Sequence, residues 1–313
     1  MKETPKQRND RIKAEMAATR KAERAKEAAV REAAAAERNA ANKEGTYARA
    51  RHKARVLLPT LDGCVFVVSD QHYYPGDPPS TAHRASVALA HELRPFAIIA
   101  NGDAIDGASI SRWPVSSFTE MHGRPLVSAE IGEAASRLAD YDGLDSVQYK
   151  VWNLGNHDAR FETRLAEQVP QYAGVDGFTL KDHFPGWLPA WRTDFTETPT
   201  AVPQVIVKHR FKGGLYASHN NALWGGTSMV TGHDHMLWAK AISDVRGVRW
   251  GIGAGTLAPI DSKHFTAYTE DNIVNWQSGF AILHFEHGLF TGPELVYAMP
   301  DGRVLFRGKA VRV

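Results

Sequence analysis

Four short polar motifs in this chain each follow an apolar run, and their side chains could ligate metal ions. The motifs are Asp70-Gln71-His72, Gly102-Asp103-Ala104-Ile105-Asp106, Gly155-Asn156-His157-Asp158 and Gly232-His233-Asp234-His235. Apolar runs of this length predict buried strands, and open α/β sheets bind ligands at the carboxyl ends of their strands. Carboxylates, an amide and imidazoles, without a thiolate, suit Mn²⁺, Fe or Zn²⁺ better than Ca²⁺. The pattern therefore predicts metal chemistry at the ends of several strands.

The elements that must position these motifs alternate between strand and helix after residue 56. The pattern predicts strands at residues 63–68, 96–100 and 151–154, and helices at residues 83–93, 129–144 and 158–168. After residue 205 the chain is β-rich, with strands predicted at residues 205–207, 215–217, 229–230, 248–252, 280–285 and 295–299. Strands alternating with helices and followed by further strands predict an α/β fold with two packed sheets in one domain, residues 57–313.

Two irregular stretches interrupt this pattern. Residues 107–127 directly follow the second motif and contain scattered aromatic residues, which predicts a loop over the site or ordinary packing at the edge of the core. Residues 170–203 are rich in turn residues and tryptophan, which predicts an insertion or rim.

The N-terminal segment, residues 1–56, differs in composition from the rest of the chain. Thr4, Pro5 and Gln7 resemble a helix start, and no Gly or further Pro follows until Gly45, so a long helical arm is predicted. The segment holds 16 Lys/Arg and 8 Asp/Glu, leaving 21 and 27 of the totals of 37 and 35 for the remainder. The arm is therefore basic (+8) and the body acidic (−6). Two interpretations fit this charge. The arm could be a solvated tether, or it could bind a partner, which would be a nucleic acid such as DNA or another protein.

Composition limits the class of protein. The 313 residues are 43% hydrophobic, which allows a large core. The single cysteine, Cys64, excludes an intrachain disulfide and a site built from several thiolates. No apolar stretch reaches the roughly 18 residues of a membrane helix, and the N-terminus lacks the features of a signal peptide. We expect a cytoplasmic protein with no membrane association; its oligomeric state is open.

Taken together and in order, the motifs resemble those of the calcineurin-like metallophosphoesterase family. The family pattern D-x-H, G-D-x-x-D, G-N-H-[DE], a lone H and G-H-x-H is matched by Asp70/His72, Asp103/Asp106, Asn156/His157/Asp158, His219 and His233/His235. The match spans residues 70–235. The resemblance implies two packed mixed β-sheets flanked by helices, with the N-terminal arm outside the family domain.

The resemblance also implies a binuclear centre that hydrolyses phosphoesters. Asp103 would bridge two divalent ions, with Asp70, His72 and His235 completing one site and Asn156, His219 and His233 the other. Two ions roughly 3.5–4 Å apart can deprotonate a shared water and bind the phosphate oxygens. We expect two Mn²⁺ ions, with Fe or Zn²⁺ as alternatives.

Three further residues receive roles on the same basis. His157 would protonate the leaving-group oxygen or stabilise its developing charge, and Asp106 would hydrogen-bond His157 and keep it cationic. Arg160 would contact a substrate phosphate through its planar guanidinium, or would instead form a surface salt bridge with a carboxylate such as Glu162 or Glu167.

Departures from the family pattern refine these expectations. Gly107 follows Asp106 where protein Ser/Thr phosphatases carry an Arg, which disfavours that branch. His219 is followed by Asn220 rather than the frequent Gly and lies only thirteen residues before Gly232. His209 is the substitute ligand.

The leading functional hypothesis is a two-metal hydrolase of phosphodiesters, with DNA as a plausible substrate, resembling exonuclease-like phage and bacterial members. A phosphomonoesterase or cyclic-nucleotide phosphodiesterase is the second reading. A third, from a different class, is a metal-binding interaction module without catalysis. Substrate identity, cleavage polarity and native metal are not determined by the sequence.

Overall fold

A computed structural model describes residues 52–111, 123–266, 269 and 272–313. Fourteen strands form two sheets within these residues. The strands are β1 Val56–Leu58, β2 Gly63–Val68, β3 Ala97–Ala100, β4 Tyr149–Asn153, β5 Leu188–Ala190, β6 Thr193–Phe195, β7 Val205–Lys208, β8 Ser228–Thr231, β9 Leu237–Asp244, β10 Gly247–Ala254, β11 Gly279–Glu286, β12 Leu289–Ala298, β13 Arg303–Phe306 and β14 Lys309–Arg312. The eight-stranded sheet has the order β14-β13-β12-β11-β2-β3-β4-β5, and the six-stranded sheet has the order β1-β6-β7-β8-β10-β9.

Six α-helices are present in the same part of the chain: α1 Thr81–Leu93, α2 Val127–Ala139, α3 Asp158–Gln168, α4 Leu180–His183, α5 Ala217–Gly225 and α6 Lys263–Thr266. Helix α1 begins where the Ser80 hydroxyl accepts a hydrogen bond from the backbone N–H of His83 at 3.0 Å. It ends at Arg94, whose backbone is left-handed. None of the described helices is both long and apolar enough to cross a bilayer.

The core has two layers because side chains alternate across the eight-stranded sheet. Val65 and Val67 of β2 pack against the six-stranded sheet, where they meet Val207 and Val230. Phe66 of β2 faces the other way, toward the layer that contains α1 and α2. Both faces of the central strands are thus buried, which explains the near-continuous apolar runs at these strands.

Strand direction brings the polar motifs to one edge. Strands β2, β3 and β4 are parallel neighbours, and so are β7 and β8 in the second sheet. Since the carboxyl ends of parallel neighbouring strands lie together, the segments that follow β2, β3 and β4 converge. The predicted α/β fold with two packed mixed sheets is confirmed.

Several local predictions differ from the structure. Residues 215–217, predicted as a strand, are instead a turn at Leu215 and Tyr216 followed by Ala217, the first residue of α5. The predicted rim at residues 170–203 contributes β5 to one sheet and β6 to the other, both only three residues long. The predicted helix at residues 129–144 ends at Ala139, although Tyr141 and Leu144 beyond it are buried. Strands β5 and β6 are too short to show the repeated alternation of apolar and polar residues by which a strand is predicted from sequence.

The predicted arm, residues 1–56, lies outside the described residues up to position 51, and so does most of the predicted loop at 107–127. The end of the arm segment is described. The buried His52 places Nε2 2.7 Å from the Glu162 carboxylate of α3, and Val56 begins β1. Residues 52–56 therefore contact the two-sheet body directly.

Candidate metal centre

The candidate site lies at the carboxyl ends of five strands. Asp70, Asp103 and Asn156 follow β2, β3 and β4 of the eight-stranded sheet. His209 and His233 follow β7 and β8 of the six-stranded sheet. The edges of both sheets therefore supply side chains to one place. The sequence motifs predicted this position for Asp70, Asp103, Asn156 and His233, and they did not include His209.

One group of potential ligands comprises Asp70, His72 and His235. Their nearest nitrogen and oxygen atoms all lie within 4.8 Å of one another, and all three residues are buried. The Nε2 atom of His235 lies 3.2 Å from Oδ1 of Asp70. Adjacent ligands at a metal–ligand distance of about 2.1 Å are separated by roughly 3 Å, so this spacing fits shared coordination of one cation.

A second group comprises Asp103, His209 and His233. The Nε2 atom of His209 lies 3.1 Å from Oδ2 of Asp103, yet the two atoms are not aligned for a hydrogen bond. The His209 ring is fixed from its other side, where Nδ1 donates to the backbone carbonyl of Asn101 at 2.7 Å. A metal-ligating histidine usually donates its other ring N–H to a backbone carbonyl or a carboxylate in this way, which leaves Nε2 to face the metal ion.

Buried acceptor atoms without hydrogen-bond partners support this interpretation. They include Oδ1 of Asn156 and Nε2 of both His72 and His209. An unpaired buried polar atom costs about 1–3 kcal/mol, so such atoms are uncommon in native structures. A divalent cation would satisfy these lone pairs, and the mixed oxygen and nitrogen set matches Mn²⁺, Fe or Zn²⁺.

The electrostatics of the site also favour a cation. Burial opposes charge on Asp103, but the neighbouring His209 and His157 hold the pKa of this carboxyl well below its usual range. Burial likewise opposes charge on His209, but Asp103 and Asp70 outweigh it and raise the pKa of His209 to about 10. The carboxylates thus create a negative potential that favours a proton on His209, and the same potential would attract a divalent cation that displaces this proton and binds the freed nitrogen.

Backbone conformation at the site is unusual. Asp70, His72, Asp103, His233 and His235 all have positive φ, between 42° and 77°. Each such residue costs roughly 1 kcal/mol or more and persists only where the surroundings impose it. The surrounding fold therefore imposes the backbone conformation of these five residues.

Two glycines are required by close approach. A Cβ on Gly155 would clash with the carboxylate and backbone nitrogen of Asp103. A Cβ on Gly232 would clash with the Ser69 hydroxyl and the Asp70 carboxylate. The glycines of the third and fourth motifs thus allow the loops to pack against the carboxylates of the first two.

Asp158 holds the loops after β3 and β4 together. Its buried carboxylate accepts hydrogen bonds from the backbone N–H groups of Asp103, Ala104, Ile105 and Gly155 and from Nε1 of Trp152, at 2.8–3.3 Å. Burial and the nearby Asp103 raise the pKa of Asp158 to about 6, and the hydrogen bonds counteract this rise. The last residue of the third motif is therefore a structural anchor.

Asp106 contacts two histidines of the site. One carboxylate oxygen, Oδ1, lies 3.1 Å from Nδ1 of His72 and 3.1 Å from Nδ1 of His157. The backbone carbonyl of Asp106 also accepts from Nδ1 of His157 at 2.8 Å. Burial opposes charge on His157, but Asp103 and Asp106 outweigh it and raise its pKa. The predicted contact between Asp106 and His157 is present.

Arg160 lies beside His157. Its guanidinium donates to the Asp106 carbonyl at 2.8 Å and approaches Nε2 of His157 at 3.2 Å. Within the part of the chain that the structure describes, Arg160 forms no salt bridge with Glu162 or Glu167; these carboxylates pair with His52 and Arg164 instead. The position of Arg160 is compatible with the predicted contact to a substrate phosphate.

His219 is not part of either ligand group. It lies on α5, where its partly exposed side chain is 3.4 Å from the Asn220 side chain. The sequence favoured His219 as the lone histidine ligand, with His209 as its substitute. In the structure it is His209 that lies beside Asp103 and His233. The available signal was the strand end, because His209 directly follows the apolar strand β7.

Two features escaped the sequence interpretation. Buried Glu130 of α2 accepts hydrogen bonds from the backbone N–H groups of Gly107 and Ala108, which fixes the loop after Asp106. The rings of Phe265 and Trp276 lie against His235, with centroids 5.4 and 4.7 Å from the imidazole. Neither feature has a local motif, because each depends on residues distant in sequence.

Two phage proteins are similar to this chain in sequence. The Gene 54 protein of Mycobacterium phage D29 is 27% identical over 230 residues, covering 68% of this chain and 86% of the phage protein. The Gene 54 protein of Mycobacterium phage L5 is 26% identical over 245 residues, covering 71% and 91% respectively. No protein-family model matches the chain.

Solved structures give looser similarities. A Vps29 variant from Entamoeba histolytica has 13% identity and a TM-score of 0.40, covering 80% of this chain and 98% of Vps29. A dimetal phosphatase from Danio rerio has 12% identity and a TM-score of 0.35, covering 82% and 98% respectively. Overlays this loose do not bear on activity, so function is argued from the side chains of the site.

Proposed function

We propose that this protein is a metallophosphoesterase of the calcineurin-like type that hydrolyses phosphoesters with two divalent cations. The observation that supports this most strongly is the convergence of the two ligand groups, Asp70/His72/His235 and Asp103/His209/His233, at the ends of strands from both sheets. Four separate segments supply these six side chains, Asn156 adds a fifth, and several of the side chains have a buried nitrogen or oxygen without a hydrogen-bond partner.

The ligands divide between two ions in this proposal. Asp70, His72 and His235 would hold one ion, and His209, His233 and Asn156 would hold the other, and Asp103 would serve both. Bound divalent cations would supply hydroxide near neutral pH and neutralise the phosphoryl oxygens. Mn²⁺ is the proposed metal, with Fe or Zn²⁺ as alternatives.

The remaining residues act on the substrate. His157 donates a proton to the leaving-group oxygen, a role typical of a positioned imidazole. Asp106 orients this ring through the contacts to Nδ1, so that Nε2 is the atom left to face substrate. Arg160, adjacent to Nε2, binds a nonbridging phosphate oxygen once substrate enters.

The proposed substrates are phosphodiesters, and nucleic acid is the class that we favour. The basic segment at residues 1–56 supports this choice through its charge, since cationic segments neutralise phosphates. Monoesters and cyclic nucleotides are the competing substrates and are included in the test.

The test uses metal-depleted protein reconstituted with Mn²⁺, Fe²⁺, Zn²⁺ or Mg²⁺. We expect two equivalents of Mn²⁺ by elemental analysis and faster turnover of bis-p-nitrophenyl phosphate than of p-nitrophenyl phosphate, together with cleavage of linear DNA. Asp103→Asn should lose bound metal and reduce turnover by roughly 10³-fold or more. Asp176→Asn, at an exposed carboxylate, is the matched control.

Two outcomes would contradict the proposal. Metal binding without turnover of any phosphoester would indicate a non-catalytic metal-binding module. Faster turnover of the monoester, with no cleavage of DNA, would show that the protein is a hydrolase of phosphomonoesters and not of phosphodiesters.

A further inference from the structure

A cationic and aromatic surface lies on the His209 side of the site. It is formed by the loop after β7 and by helix α5, and it comprises Arg210, Phe211, Lys212, Leu215, Tyr216 and Trp224. Large apolar side chains are unusually exposed here: Trp224 is 70% exposed, Leu215 66% and Tyr216 59%. Several large exposed apolar side chains gathered in one loop and the helix that follows it are typical of a binding surface.

The charge of this region is opposite to that of the body around it. Residues 198–233 contain no Asp or Glu, and they contain the three cations Lys208, Arg210 and Lys212. The 257 residues from 57 to 313 carry a net charge of −6, from 21 Lys/Arg and 27 Asp/Glu. The surface is thus a local basic region directly beside the candidate metal centre.

The surface is attached firmly to the site. The Asn221 side chain accepts from the backbone N–H of Lys212 at 3.1 Å and donates to its carbonyl at 3.2 Å. The same side chain is 3.5 Å from the hydroxyl of Thr231, two residues before His233. The loop that carries the cations is therefore held in register with the two ligand-bearing strand ends.

Cation and aromatic ring are also paired on this surface. The Lys212 ammonium lies 3.9 Å from the centroid of the Trp224 ring, within the range of a cation–π contact. Because the tryptophan is nevertheless mostly exposed, part of its ring remains open to solvent. A cation that can bind phosphate thus lies next to a flat ring that can stack on a base.

We propose that this surface binds single-stranded nucleic acid and leads the strand to the metal centre. Exposed aromatic rings stack on unpaired bases regardless of sequence, and interspersed cations bind the backbone phosphates. This inference deepens the proposed function, since it rests on phosphodiester hydrolysis at that centre and names the polymer that supplies the diester.

A second copy of the chain fits the surface less well. In a two-fold symmetric dimer the same patch faces itself, so Arg210 and Lys212 of one copy would approach those of the other. No carboxylate in residues 198–233 is available to offset that repulsion. Phosphate groups, in contrast, complement the charge directly.

The test measures how tightly a fluorescein-labelled oligodeoxythymidylate of about 20 nucleotides binds the full chain. The readout is fluorescence anisotropy, and EDTA is present so that no strand is cut. Trp224→Ala and Tyr216→Ala should each weaken binding roughly 5- to 100-fold. Lys212→Ala should reduce the slope of log affinity against log salt by about 0.7. The matched controls are Tyr172→Ala, which removes an exposed tyrosine elsewhere, and Lys309→Ala on β14; neither should change affinity.

Parallel measurements distinguish the possible results. An oligouridylate separates RNA from DNA, and binding of either strand through Trp224 supports the inference. A blunt duplex should compete more weakly than single strands because its bases are already stacked. Unchanged affinity in all three surface variants would overturn the inference while leaving Mn²⁺-dependent diester turnover, and thus the proposed function, intact.

Two further results would be decisive. If Trp224→Ala dissociated a dimer in sedimentation velocity without weakening oligonucleotide binding, the surface would be a contact between copies and the inference would be wrong. If oligonucleotide binding required Trp224 but no phosphoester were hydrolysed with any metal, the surface would still be a nucleic-acid-binding surface, and the proposed hydrolase function would be wrong.

Discussion

The backbone N–H of His233 lies 3.0 Å from each of the two carboxylate oxygens of Asp70, to which it donates a hydrogen bond. These residues are 163 positions apart and follow strands of different sheets. The loop that carries two histidines is thereby fastened to the first carboxylate of the site. A substitution at one strand end should therefore affect ligands on the other.

The identity of the lone histidine ligand can be tested with a pair of variants. His209→Ala should remove at least one equivalent of bound Mn²⁺ and lower diester turnover by roughly 100-fold or more, because its Nε2 is directed at Asp103. His219→Ala should retain both properties, since that side chain faces Asn220. Elemental analysis and kinetics provide the readouts. The reverse pattern would restore His219 as the ligand.

The role of His157 separates metal binding from proton transfer. His157→Ala should keep the metal content of the wild type and lose roughly 10²- to 10⁴-fold in turnover, the usual contribution of a general acid. The loss should be smaller for substrates whose leaving group has a low pKa, since these need no proton. Full turnover of an unactivated diester by His157→Ala would show that another group is the acid.

Asp158 should be critical for stability. In Asp158→Asn an amide NH₂ replaces one oxygen, so some of the five N–H donors around this position lose their acceptor. We expect a loss of about 1–3 kcal/mol in the free energy of unfolding, measured by urea denaturation, because a buried N–H left without an acceptor costs about that much. Asp176→Asn, at an exposed position, should leave the midpoint unchanged. A change below about 1 kcal/mol in Asp158→Asn would show that Asp158 is not an anchor.

Glu130 should make stability depend on pH. Burial, followed by the charge of Asp106, raises its pKa to about 7 from the ordinary 4.5, while hydrogen bonds from Gly107 and Ala108 and the charge of Arg160 oppose the rise. The folded state thus holds a proton that the unfolded chain releases near pH 4.5. This stabilisation is complete below that pH and is lost as pH rises through 7, with a total of up to about 3 kcal/mol.

The measurement is urea denaturation of metal-free protein between pH 4.5 and 8. Glu130→Gln cannot titrate at this position, so its stability should vary less with pH than that of the wild type over the same interval. Equal pH dependence in the two proteins would show that Glu130 does not hold the proton.

Much of the site was predictable because its residues are local to strand ends. Asp70, Asp103, Asn156 and His233 each follow an apolar run within a few residues, and the chain reversal at these points needs Gly or positive φ. The end of each of these strands can therefore be recognised from the local sequence. The choice between His209 and His219 was harder, since both are single histidines and only the three-dimensional path after β7 distinguishes them.

The sequence by itself determined the alternation of strands and helices, the order of the motifs and the donor types, because these follow from local polarity and spacing. The tertiary structure alone decided that His209 approaches Asp103, that Asp158 joins two loops, and that Glu130 supports the segment after Asp106. Each of these contacts joins residues 22 to 106 positions apart in the chain. Such contacts depend on how the two sheets pack, and no local pattern of polarity encodes that packing.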